Sequence, residues 1–205
     1  MTFLNSINRI NQFHLCVMAG LLISCLGFTA NAQAQWQLDN EASQLSFIST
    51  KATHTAESHT FTKLQGSVND AGQANLTIDI ASVETMIPIR NERMGTMLFD
   101  IAAFPTAKFS AQVDIEAFNK LNVGAMKDMA LNGELSLRNA TLPLNAYVRV
   151  IKLDGNRVQV QTLKPIILKA DSLSVIEGIE KLRNIAGLPS ISHSVPVTFS
   201  LIFQQ

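Results

Sequence analysis

Within six residues, His54-Thr55-Ala56-Glu57-Ser58-His59, the chain places two imidazoles and a carboxylate. Such groups ligate zinc and act as general acids or bases, so this segment is the first place to look for chemistry. Its conformation decides what it can do. On a strand, Glu57 and His59 share a face and His54 points away from them. On a loop, all three could converge on a metal or on a metal-bound water. The preferred reading is a polar, solvated bend between strands led by Phe47 and Phe61. His193, just before the last apolar run, reads as a surface residue, with a distant third metal ligand as its alternative.

Arg90, Glu92 and Arg93 form a second charged set. They suit either the polar head of a ligand at the mouth of a cavity or the solvated face of a short helix with a salt bridge to Asp100. Elsewhere the chain carries no Gly-x-Ser-x-Gly elbow, no phosphate-binding Gly-rich loop and no His-Glu-x-x-His pair. No catalytic residue, metal or cofactor is therefore expected, and acid/base work by His54, Glu57 or His59 stands as the enzymatic alternative.

The elements that must carry these residues begin after an export signal. Arg9 precedes an uncharged apolar run from Phe13 to Thr29, and small-residue sites follow at Ala30-Asn31-Ala32 and Ala32-Gln33-Ala34. Cleavage after Ala34 leaves residues 35–205 as one soluble domain. Leu22-Ile23-Ser24-Cys25 matches the pattern before a lipid-modified cysteine, but Leu26 and Phe28 continue the apolar run as an ordinary signal does. Both cysteines, Cys16 and Cys25, lie in this leader, so the expected mature chain has no thiol for a disulfide, a nucleophile or a thiolate metal site. Its charges balance closely, since only Arg9 of the 16 basic residues is lost against 16 acidic ones. They are interspersed, which argues against nucleic acid or an anionic membrane surface as partner.

From Trp36 onward the dominant pattern is period two, which puts successive side chains on opposite faces of a sheet. Phe109, Ala111, Val113, Ile115 and Ala117 fall on one side of a strand expected over Ala107–Ala117. Leu131, Gly133, Leu135 and Leu137 do the same, as do Leu142 to Val150 and Val195 to Phe203. Turn residues at Asn69-Asp70-Ala71-Gly72, Asn139-Ala140 and Asp154-Gly155-Asn156 indicate antiparallel hairpins. About eight strands with a single apolar face must pack as two sheets or curl into a barrel. Two segments break the rhythm: Asn91–Leu98 and Leu173–Ala186 carry apolar residues at helical spacing.

Two blocks of residues narrow the choice. Ser82-Val83-Glu84-Thr85 leads to Arg90-Asn91-Glu92-Arg93-Met94, then Phe99-Asp100, then Phe104-Pro105-Thr106-Ala107-Lys108-Phe109-Ser110. A second block runs from Leu131-Asn132-Gly133-Glu134-Leu135 through Asn139-Ala140-Thr141-Leu142-Pro143-Leu144. Together they resemble the signature of the YceI-like family, periplasmic barrels that bind lipids or polyisoprenoids. Asn91 stands where that family has an acidic residue, Met94 where it has Leu, and Asn139 or Ala140 where its hairpin has Gly. The resemblance spans Trp36 to the C-terminus and implies an all-β fold: a single extended, lipocalin-like antiparallel β-barrel of about eight strands with one or two short helices.

The resemblance also implies a function without a reactive residue: an exported periplasmic protein that holds a polyisoprenoid, quinone-type or other long-chain lipid for transport, storage or sequestration. A homodimer is compatible with this reading. Each ligand CH₂ removed from water is worth roughly 0.8 kcal/mol, so a long tail supplies ample drive. The residues expected to meet the ligand are Phe47, Phe61, Arg90, Met94, Met97, Leu98, Phe99, Phe109, Val113, Leu135, Val148, Ile179, Leu182 and Phe199. A module with a filled interior is the other alternative.

Overall fold

A computed structural model describes residues 36–205, and the expected leader with its two cysteines lies outside the described residues. The alternating segments form eleven antiparallel strands in one sheet. In chain order they are β1 Trp36–Lys51, β2 Thr55–Phe61, β3 Leu64–Val68, β4 Gln73–Asp79, β5 Val83–Glu84 and β6 Thr106–Gln112. After them come β7 Met126–Leu137, β8 Ala140–Lys152, β9 Arg157–Thr162, β10 Ile166–Lys169 and β11 Ser194–Gln204. Pairing runs β1, β3, β4, β6, β7, β8, β9, β11 and back to β1, which closes a barrel of eight strands. The other three segments continue broken strands: β2 lies beside β1 above β3, β5 follows β4 and pairs with β2, and β10 lies beside β11 above β9. Above, the barrel opens into a sheet that helices cover.

Those helices are α1 Pro88–Arg93, which passes into a π-helical turn Met94–Phe99, and α3 Ile176–Ile185, which follows a 3₁₀ turn Ala170–Leu173. The first starts earlier than the expected Asn91–Leu98, because Pro88 at its first turn has no backbone N–H to lose. The second falls inside its expected span. A third helix, α2 Ile115–Asn119, corrects the expected strand to Ala117: β6 stops at Gln112, and the Asp114 side chain accepts a hydrogen bond from the Ala117 N–H as an N-cap. Helices α3 and α1 with its π turn meet through Gly178, where an added Cβ would sit 2.6 Å from Leu98 Cα and 2.6 Å from the Met97 carbonyl oxygen.

The ladder lapses in four places. Between β1 and β11 the register shifts between Asp39 and Gln44, where the Ser43 hydroxyl accepts from the Ile202 N–H. Between β1 and β3 pairing stops at Gln37, and the Asn40 side chain fills the gap by donating to Thr62 O and accepting from the Leu64 N–H. Between β8 and β10 pairing stops at Val148, and the turn Ala170–Leu173 packs across with Ala170 and Leu173 buried. Between β6 and β7 pairing stops at Ala111 opposite Gly133, although β7 continues to pair with β8 down to Met126. The connection between these two strands carries α2, which contributes no buried residue.

Gly178 allows a direct test of the helical cap. In an exposed helix Gly→Ala stabilises by roughly 1 kcal/mol, but here the new methyl meets backbone. Gly178→Ala is expected to destabilise by about 1–3 kcal/mol, measured by chemical denaturation. A gain in stability would show that the helices are not in tight contact.

Candidate functional site

The inward face of the barrel encloses a cavity of about 270 Å³ whose wall exposes no polar atom. It reaches from Leu98, Phe99 and Ile179 beneath the helices to Ile115 and Phe118 at α2. Its middle is ringed by Leu76, Phe109 and Leu135, which are cross-strand neighbours on β4, β6 and β7. Strand parity explains this: every second residue faces inward, and the inward set is Phe, Leu, Val, Ile and Ala nearly throughout. Apolar cavities stay dry, and one of roughly 150 Å³ already accepts benzene.

Of the residues expected to meet a ligand, Phe47, Phe61, Leu98, Phe99, Phe109, Val113, Leu135, Val148, Ile179 and Phe199 border this cavity. Arg90, Met94, Met97 and Leu182 do not. Met94 is buried and packs into the surrounding core, Leu182 is packed against that core, and Met97 is 36% exposed. Trp36, Leu45, Leu131, Phe118 and Phe203 also border it and were not singled out from the sequence.

Above the cavity the inward face turns polar. The stretch expected to be a solvated bend is instead, from Thr55 on, strand β2, and only Ala52, Thr53 and His54, the first two at positive φ, make the turn from β1. The reason is pairing: Phe47 lies opposite His59 and Ser49 opposite Glu57, which continues the inward rows of Phe61 and Leu45. His59 is only 3% exposed; its Nε2 lies 2.8 Å from Ser49 Oγ, and its ring packs 5.2 Å from that of Phe47. The Nδ1 atom is buried without a partner. His54 sits exposed in the turn and does not join Glu57 and His59, and among the described residues no three His, Cys, Asp or Glu side chains gather as a metal set. His193 lies instead 3.4 Å from Asp171.

Arg90 pairs with Glu57, correcting the expected bridge to Asp100. Its Nη1 donates to Glu57 Oε2 at 2.7 Å and its Nη2 to the Thr85 carbonyl at 2.6 Å, while Lys51 Nζ lies 2.8 Å from the same carboxylate oxygen. Asp100 is the left-handed residue that ends the π turn. The hydrogen bond from Lys51, joined by Arg90, holds the Glu57 carboxyl below its usual range against the opposing effect of burial. Asn91 accepts from the Thr85 N–H and hydroxyl and donates through Nδ2 to Glu84. A carboxylate at position 91 would repel Glu84, so the amide is the residue that this turn can use. The whole set ties α1 to β2 and β5.

Ser49 and His59 have the spacing of a nucleophile and base, but no third group orients the ring and neither borders the cavity. Burial is the main cause that lowers the His59 pKa, and the nearby Arg90 charge adds to it. The ring therefore serves as a neutral, packed link between β1 and β2.

Comparison with known proteins bears on what this cavity is for. A family model described as the YceI-like domain matches residues 36–203. A polyisoprenoid binding domain from Saccharophagus degradans, implicated in plant cell wall breakdown, superposes with a TM-score of 0.83 at 38% identity, covering 84% of this chain and 99% of that one. BcnA of Burkholderia cenocepacia has the same fold, with a TM-score of 0.62 at 20% identity over 80% of this chain and 98% of its own. No curated protein matches.

The buried imidazole makes stability depend on pH in a defined direction. Because His59 takes up a proton less readily when folded, its contribution is complete above the unfolded value near 6.5 and is lost as pH falls through it toward the lower folded value. The melting temperature is expected to drop between about pH 7.5 and about pH 5.5, and His59→Gln to flatten that drop. Parallel profiles for the two proteins would contradict the assignment. Glu57 acts only below its own, lower range and leaves this window unaffected.

Proposed function

The chain belongs to the YceI-like family, a family of binding proteins, and from that premise we propose that it carries a long-chain amphiphile of polyisoprenoid or quinone type in its barrel. The observation that carries this reading is the cavity itself, apolar over its whole wall and running between the two ends of the barrel. Left empty, a void of about 270 Å³ would cost on the order of 6 kcal/mol at roughly 24 cal/mol per Å³. That is comparable with the whole stability of a typical domain, about 5–15 kcal/mol. A resident apolar chain removes the penalty, and its burial adds roughly 0.8 kcal/mol per CH₂.

The ligand lies against Phe47, Phe61, Leu98, Phe99, Phe109, Val113, Leu135, Val148, Ile179 and Phe199. Arg90, with both terminal nitrogens engaged by Glu57 and Thr85, holds the helical end together. No covalent step is assigned. The Saccharophagus degradans relative, described as polyisoprenoid binding, supports the ligand class. The leader read from the first residues supports export to the periplasm, where such a protein would move or sequester lipid between membranes. Among the described residues no helix is long and apolar enough to cross a membrane.

A cavity-filling variant separates a hollow barrel from a filled one. Leu76 borders the mid-cavity ring, and Leu76→Trp is expected to fold with equal or higher stability while its affinity for a fluorescent polyene fatty acid falls by about ten-fold or more. In a filled core the same substitution would lower stability by about 1–3 kcal/mol. Loss of stability with binding retained would overturn the reading.

A further inference from the structure

Building on that reading, we infer that the ligand enters and leaves through the seam between β6 and the lower half of β7, and that α2 is the flap over it. The β6–β7 ladder ends where Ala111 faces Gly133, and the β7 backbone from Met126 to Asn132 has no partner strand on this side while its other edge pairs with β8. Gly133 marks the point of divergence. A Cβ there would lie 2.3 Å from the Ser110 carbonyl oxygen and 2.5 Å from the Phe109 ring, so the strands are at closest approach just above the gap. An open strand edge invites mispairing, and proteins ordinarily cover or pair one. Here the five-residue helix α2 borders the cavity through Ile115 and Phe118, beside Met129 and Leu131 of β7.

The ends of the cavity differ in how they are shut. Beneath the helices Leu98, Phe99, Val175 and Ile179 are all buried. Arg138 donates to the Leu98 carbonyl at 3.0 Å, and α3 seats on the π turn at Gly178. Along the seam Val113, Phe118, Met129 and Leu131 border the cavity but are only part-buried. The Asp114 cap and the exposed Lys120–Glu116 pair hold α2 together internally, and neither ties it to β7. Val123 and Met126 at the rim, 65% and 61% exposed, carry apolar surface outward from the gap. The other three lapses of the ladder are closed by the Ser43 hydroxyl, by the Asn40 side chain and by the buried turn at Ala170–Leu173. A chain that passes here runs toward the helical cap and leaves its head at α2.

The test uses residues 35–205 and cis-parinaric acid, a fluorescent polyene fatty acid, with stopped-flow rates beside an equilibrium titration. Asp114→Ala removes the cap of the flap and is expected to raise loading and release rates about five-fold together, the factor that loss of a helix N-cap implies, with equilibrium affinity unchanged. Arg138→Ala, at the opposite end, is expected to leave the rates unchanged. In Gln112→Cys/Asn132→Cys, at exposed positions next to the last paired residues Ala111 and Gly133, a bis-maleimide link across the seam is expected to abolish loading that the unlinked variant retains. Faster exchange in Arg138→Ala but not in Asp114→Ala, or normal loading of the linked protein, would overturn the portal while leaving the binding reading intact. Failure of the unmodified protein to bind the probe at equilibrium would overturn both.

Discussion

A ring of eight tilted strands encloses a volume that its own inward side chains must fill or leave hollow, and everything else in this protein follows from its being left hollow. The inward rows are apolar but not bulky enough to meet across the middle. What the void forfeits in packing must be recovered elsewhere, and the two ends recover it differently. At the helical end, Ile80, Leu173, Val175 and Ile179 form a dense plug. At the other, Trp36 is buried beneath Lys152, whose Nζ stands 4.6 Å from the indole ring and donates to the Gly155 carbonyl. That plug covers only the side formed by β1, β8, β9 and β11, so the hollow runs on toward α2.

The polar layer above Phe47 and Phe61 has a structural logic of its own. Strands β1 and β2 continue past the barrel proper, and their inward residues no longer face the hollow but the underside of α1. Ser49, Lys51, Glu57 and His59 there must satisfy one another or the helix, and Arg90 supplies the link. The Nε atoms of Arg90 and Arg138, with His59 Nδ1, remain buried without partners.

The barrel and most of its lining were legible because period-two alternation fixes which residues share a face. Phe109, Leu135, Val148 and Phe199 follow from that rule alone. Helical residues were less secure, since Met94, Met97 and Leu182 share a periodic stripe with Leu98 and Ile179, and only the tilt of each helix decides which of them reach the hollow. The alternation of Phe109 through Ala117 misled for a specific reason. Asp114 can cap a helix as readily as sit in a strand, and Ile115 faces inward from either. The histidine segment misled because its composition is polar, whereas its placement is set by pairing with β1, and Ser49 as the partner of His59 is visible only once that register is known. The gap beside β7 has no local signature apart from Gly133.

The most direct test of the hollow barrel is native mass spectrometry of the protein purified from its own source under gentle conditions, together with organic extraction of the same sample. A mass above that of the polypeptide by one long-chain lipid, recovered in the extract at near-stoichiometric yield, is the expected result. The bare polypeptide mass with no lipid in the extract would contradict it.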